Sequence, residues 1–294
     1  MTRTKLSREQ IARLRSKSST GSQVEFGRMV ALFDRANIIS EGDSWFGYPK
    51  KVGSGKPANI IDHIARKTRG HVNLLRLESN GDEATEILSG NQRHTLTKLL
   101  KQYGTGDRPI DVLLFSAGGN DIVGKWDLER FLNPYQARFS AENCINRASF
   151  DNKIKQIELA YRELLDIRDQ YSPTTMVISH CYDIPYVTGK GAKYLGIKVS
   201  GPWLQPAMIE RGIPEPMRRA VFAILFRDLA KMLLALQKSV GPKGRFLVAD
   251  TVGTLKDKGE WLNEIHPKSE GFGLVAAKVY RELKTVLPHL PDWG

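Results

Sequence analysis

Three side chains far apart in the chain have the chemistry to transfer an acyl group: Ser44, Asn120 and His266. That reaction needs a nucleophile, a base to take its proton, and donors for the negative oxygen that develops on the carbonyl. Ser44 is the candidate nucleophile, on Gly42-Asp43-Ser44 after a short apolar run and just before Trp45, Phe46 and Tyr48. Gly-Asp-Ser alone is also an ordinary turn sequence, so its weight rests on its partners. His266, followed by Pro267 just before the last helical stretch, is the candidate base. The backbone N–H groups of Ser44 and Gly81 and the side-chain amide of Asn120 are the candidate donors. A glycine lets substrate approach the backbone closely, and an asparagine offers two N–H groups that never need to deprotonate.

Such residues act together only if the fold gathers them. Runs rich in Val, Ile and Leu at 36–40, 72–77, 111–117, 175–180 and 245–250 predict five strands. Helical spacing fills the intervals, for example Ile154, Ile157, Tyr161, Leu164 and Leu165, and Val221, Phe222, Leu225 and Leu229. Buried strands alternating with helices imply a mainly parallel sheet with helices on both faces. In such sheets the ligand crevice lies beyond the carboxyl ends of the strands. Candidate chemistry clusters there: Asp43 and Ser44, then Glu78 to Asp82, then Gly118 to Asp121, then His180 to Asp183, and finally, beyond Asp250, Trp261 to Pro267.

In this order the chain resembles the SGNH hydrolase family, the GDSL-like esterases and lipases. The resemblance rests on Gly42-Asp43-Ser44, Gly81, Gly118-Gly119-Asn120-Asp121 and Asn263-Glu264-Ile265-His266, and it spans about residues 36–285. It implies a flavodoxin-like three-layer α/β/α sandwich around a five-stranded parallel sheet. It also implies ester hydrolysis through a seryl intermediate, with no metal and no organic cofactor. One position departs from the pattern: Asn263 stands where the family carries the acid of its triad. Three groups are then candidates to orient His266: the Asn263 carbonyl oxygen, a backbone carbonyl within residues 261–263, or a displaced carboxylate from Glu264, Asp250 or Asp183. Replacing the acid by an amide lowers turnover in Ser-His-Asp enzymes by about 10⁴, so a slower or more specialised hydrolase is expected. The alternative is a catalytically impaired binding protein for an acylated or anionic ligand.

Asp43 is expected to brace the turn at Ser44 by accepting backbone N–H bonds, and Asp121 to cap the turn or helix after Asn120. Trp45, His180 and Asp183 are expected to line the substrate site. His180-Cys181 is not a reactive pair, because neighbours on a strand face opposite sides. His63, His71 and His94 show no ligand spacing. Gly53-Ser54-Gly55-Lys56 is not a phosphate loop, since its spacing is wrong and Pro57 stands where a hydroxyl residue belongs.

The chain has 294 residues, 41% hydrophobic and 26% charged, which fits an ordinary globular protein. Its net charge of +12 is partly local: Met1 to Ser18 holds Arg3, Lys5, Arg8, Arg13, Arg15 and Lys17 against Glu9 alone. Residues 1–30 read as a basic arm and 31–294 as the hydrolase-like domain, with insertions near 125–150 and 183–214. Nucleic acid is not the expected partner of the arm, because neither zinc spacing nor an RNA-binding aromatic signature accompanies it. A small-molecule or acylated ester is the expected substrate. Two cysteines, no apolar leader after the first residues and no transmembrane run point to the cytoplasm. The second insertion, rich in Gly and Pro and carrying Tyr186, Tyr194 and Trp203, reads as a substrate-facing lid or a satellite packing cluster.

Overall fold

The structure is a computed structural model that describes residues 6–49, 55–194 and 197–294. Arg3 and Lys5 of the arm, and Gly53-Ser54 of the glycine-rich stretch, lie outside the described residues.

Among the described residues seven strands occur in chain order: β1 (Ala36–Gly42), β2 (Val72–Arg76), β3 (Val112–Ser116), β4 (Met176–His180), β5 (Ala192–Tyr194), β6 (Ile197–Ser200) and β7 (Phe246–Ala249). Five of them form one sheet in the order β2-β1-β3-β4-β7, every pair parallel. These are the five apolar runs of the sequence, trimmed or extended by a residue or two. Their side chains are buried on both faces, which is why they read as continuous hydrophobic runs. Two groups of helices flank the sheet. Ile60–Lys67 packs with Ser269–Val286, while Gly90–Tyr103, Arg147–Tyr171 and Glu215–Val240 make up the second group. The sheet order reverses between β1 and β3, and a doubly wound fold opens its crevice at such a point. Gly42 pairs with Ser116 there.

The helical part of the expected arm is seated on the domain. Arg8–Ser16 begins at a Ser7–Gln10 capping box and buries Leu14 against Met29 and Phe33. Thr20 exchanges backbone bonds with Leu74 and Arg76 at 2.9 Å each, covering the free edge of β2. Gln23–Leu32 follows and sends Phe26 and Val30 into the main core. The first insertion holds the helix Lys125–Phe131 and the first turn of Arg147–Tyr171, joined by an irregular segment bridged between Leu132 and Ile145. The second holds the antiparallel β5–β6 hairpin and the short helix Gln205–Glu210.

Candidate active site

The turn that presents Ser44 is built by its neighbours. Gly42 has φ +150°, and a Cβ there would lie 2.4 Å from the Ser116 carbonyl oxygen, so only glycine lets β1 and β3 close together at this point. Asp43 donates its N–H to that carbonyl at 3.0 Å. It then caps the helix Ser44–Gly47, its Oδ1 accepting the Trp45 N–H at 2.9 Å. Ser44 is thus the first helical residue, with a backbone N–H that the helical ladder does not use.

His266 arrives from the far end of the chain on a turn closed by a bridge between Trp261 and Pro267 and a 2.9 Å bond from Leu262 N–H to the His266 carbonyl. Its Nε2 lies 2.7 Å from Ser44 Oγ. Asn263 Oδ1 accepts three N–H groups: Ile265 at 3.0 Å, His266 at 2.9 Å and the His266 ring Nδ1 at 3.1 Å. An acceptor facing Nδ1 fixes the proton there and leaves Nε2 bare toward the serine hydroxyl. Of the three candidates for orienting His266, the Asn263 carbonyl oxygen is the one in place. Asp183 accepts Ile184, Gly253 and Leu255 N–H groups, Glu264 accepts backbone groups of the second insertion, and Asp250 accepts Val252 N–H. Tyr48 covers the His266 ring at 4.2 Å between centroids, and Trp203 meets it edge-on at 5.8 Å. Burial among these groups pushes the imidazole pKa down to about 3, since desolvation disfavours the cation.

The donor loop is tied to the same corner. Ser79 N–H bonds the Gly42 carbonyl at 2.9 Å, and Asn120 Nδ2 donates to the Asp82 carbonyl at 2.9 Å. Gly81 lies between them with φ +95° and open space where a side chain would stand. One Asn120 amide hydrogen is engaged with Asp82, which leaves the second for a ligand. A cavity of about 20 Å³, room for one water, lies beside this corner and is bordered by Asp43, Trp45, Asn120, Tyr182, Asp183 and Trp261, among others. Trp45 and Asp183 are therefore cavity walls. Trp45 also anchors the His266 turn, its indole N–H donating to the Ile265 carbonyl at 3.1 Å.

Two expectations need correction. His180, expected to line a substrate site, does not border the cavity: it is fully buried, stacked on Trp45 and Phe46. Its Nδ1 accepts the Tyr182 N–H at 3.1 Å, so Nε2 carries the proton and donates to Ser116 Oγ at 2.8 Å. Ser116 passes its own hydroxyl proton to Asp43 Oδ1 at 2.9 Å, and Tyr182 donates to Asp43 Oδ2 at 2.5 Å. Burial pushes His180 down to about 3 and Asp43 up to about 6, the latter opposed by its three donors. Asp121 does not cap the helix it belongs to, Gly119–Val123, whose N-cap is Gly118. It lies inside that helix and reaches across to accept the Ala84 N–H at 2.9 Å, fixing the segment after β2. Burial raises its pKa to about 7.

Sequence reasoning did not assign Ser116, Tyr182 or Glu264 these positions. Ser116 and Tyr182 stand at the carboxyl ends of β3 and β4, so the crevice rule was the signal that could have found them. Glu264 offered only its place between Asn263 and His266.

No family model and no curated protein matches the chain. Solved structures do share its fold. The lipase Lip_vut3 from a goat rumen metagenome is 17% identical with a TM-score of 0.52, over 84% of this chain and 96% of that one. The native aryl esterase of M. smegmatis is 13% identical with a TM-score of 0.51, over 85% and 99%. The chain therefore shares the α/β fold of this lipase and this aryl esterase, a five-stranded parallel sheet flanked by helices.

Proposed function

We propose that the protein is a serine esterase of the SGNH type, acting on a carboxylic ester through a seryl acyl-enzyme. The observation that carries this reading is the chain of contacts from Asn263 Oδ1 through the His266 ring to Ser44 Oγ, 3.1 Å and then 2.7 Å. Ser44 Oγ attacks the ester carbonyl while His266 Nε2 takes its proton. The carbonyl oxygen becomes an oxyanion held by Ser44 N–H, Gly81 N–H and the free Asn120 amide hydrogen. The tetrahedral species collapses as the Nε2 proton passes to the departing alkoxide, releasing the alcohol. Water repeats the sequence on the acyl-serine, giving the acid and restoring Ser44. The fold neighbours, a lipase and an aryl esterase, support the same reading.

Asn263 holds the tautomer and supplies no negative charge. The imidazolium formed in each half-reaction is stabilised by a dipole alone, so turnover is slower than with a carboxylate. The buried, unpaired Cys144 and Cys181 support a reducing, cytoplasmic setting, and no described helix is long and apolar enough to cross a membrane.

A fluorophosphonate probe tests the proposal. Labelling should fall on Ser44 in the folded protein, and Ser44→Ala should abolish both label and turnover of p-nitrophenyl acetate without lowering the unfolding midpoint. Ligand-dependent stabilisation with neither label nor turnover would instead identify a binding protein.

A further inference from the structure

Glu264 is fully buried one residue after Asn263 and two before His266. Its carboxylate collects five backbone N–H groups from the second insertion. Oε1 accepts Thr188 at 3.1 Å, Gly189 at 2.9 Å and Gln205 at 3.2 Å, while Oε2 accepts Trp203 at 2.7 Å and Leu204 at 2.8 Å. The Glu264 N–H returns a bond to the Lys190 carbonyl at 3.2 Å. These donors come from both ends of the β5–β6 hairpin, so one side chain staples the root of the insertion to the turn that carries His266. Backbone donors in this number satisfy a buried carboxylate that burial alone would penalise. The stapling fixes the Trp203 backbone, and with it the indole that stands edge-on to His266.

Position decides what that indole borders. His266 Nε2 must hand its proton to the departing oxygen, so the alcohol portion of the ester leaves alongside the imidazole. The acyl portion stays on Ser44, beside the oxyanion donors. A ring seated against His266 therefore limits the alcohol and not the acyl group. The opening is narrow, with Ser44 6% and His266 4% exposed.

We propose that Trp203, held by Glu264 as a positioning residue, restricts the size of the alcohol that the enzyme can release. This inference rests on the esterase reading above. It assigns the second insertion the role of a specificity wall on the leaving-group side. It also explains why the insertion is anchored on residue 264 and not on a distant surface: wall and imidazole keep a fixed separation.

The test uses the full-length protein and three acetates with one acyl group and growing alcohols: ethyl, phenyl and 1-naphthyl. Phenyl butyrate serves as the acyl control. Trp203→Ala and Glu264→Gln should each raise the 1-naphthyl to ethyl ratio of kcat/KM by about tenfold, the scale on which one apolar group in a pocket discriminates between substrates. The gain should enter through KM for the naphthyl ester, the butyrate to acetate ratio should stay constant, and Trp203→Phe should restore most of the wild-type discrimination. Glu264→Gln acts by placing an amide N–H against backbone donors. If it fails to fold, Trp203→Ala carries the test alone. An unchanged alcohol ratio in an active Trp203→Ala variant, or a shift in the acyl ratio instead, overturns the inference and leaves the esterase intact. A wild-type protein that neither hydrolyses the acetates nor takes the fluorophosphonate label overturns both.

Discussion

Asn263→Asp asks how much the missing charge costs. The side chains are nearly the same shape, and Oδ1 would keep its Ile265 and His266 backbone donors. The Asn263 Nδ2 group donates to the Tyr48 hydroxyl oxygen at 3.4 Å. With aspartate the polarity reverses and the Tyr48 O–H becomes the donor, so the substitution leaves no group stranded. A unit charge about 4 Å from the imidazolium, at an effective dielectric near 20, stabilises it by about 4 kcal/mol. That equals about 3 pKa units. His266, pushed down to about 3 by burial, should then titrate near pH 6 (roughly, after the same conversion). The sign follows from the base needing to be neutral. Wild-type kcat/KM on p-nitrophenyl acetate should stay flat from pH 8 down to about 4, far below an ordinary histidine limb. The variant should show an acid limb near pH 6 and a higher plateau, with about 10⁴ as the ceiling on the gain. Equal acid limbs near pH 6.5 in both proteins would refute the reasoning, since His266 would then not feel residue 263. So would a lower plateau in a variant that still folds.

Gly42→Ala should destabilise the protein by about 3 kcal/mol or more in urea unfolding, because its Cβ meets the Ser116 carbonyl; an unchanged midpoint would contradict the close approach of β1 and β3. His180 is held down to about 3, so the unfolded chain takes up its proton between pH 6.5 and 3 and stability is lost as pH falls through that window. His180→Gln should remove up to about 1.4 kcal/mol per pH unit from the acid slope of stability, and an unaltered slope would show that His180 is not kept neutral. Asp43 runs the other way: raised to about 6, it keeps its proton longer in the folded state, so its contribution weakens stability as pH rises from about 4 to 6. Asp43→Asn should abolish that component while costing about 1–3 kcal/mol, since an amide N–H would face the Ser116 or Tyr182 hydroxyl, and unfolding curves at pH 4 and pH 7 would show both effects.

The amino-acid sequence carried the five strands of the main sheet, their parallel pairing and the corner where the polar residues meet, but not the antiparallel β5–β6 pair. Each of those rests on a local pattern: an apolar run of strand length, a helical stripe after it, a glycine or asparagine at its carboxyl end. The meeting of Ser44 with His266 was legible because the crevice rule gathers residues that follow strand ends, whatever the distance along the chain. Tertiary structure alone decided between partners that pattern leaves equivalent. The Asn263 side chain, a backbone carbonyl within residues 261–263, and the carboxylates of Glu264, Asp250 and Asp183 were all open by sequence as the group that orients His266, and the Asn263 side-chain oxygen is the one that faces its ring. His180 ends β4 and Asp183 follows three residues later, yet one is buried against Trp45, Phe46 and Ser116 and the other borders the cavity. Asp121 bonds Ala84 across 37 positions, and Glu264 bonds Leu204 across 60. A side chain's choice of acceptor or donor depends on which backbone groups the packing leaves unpaired near it, and that is settled only when distant segments are brought together.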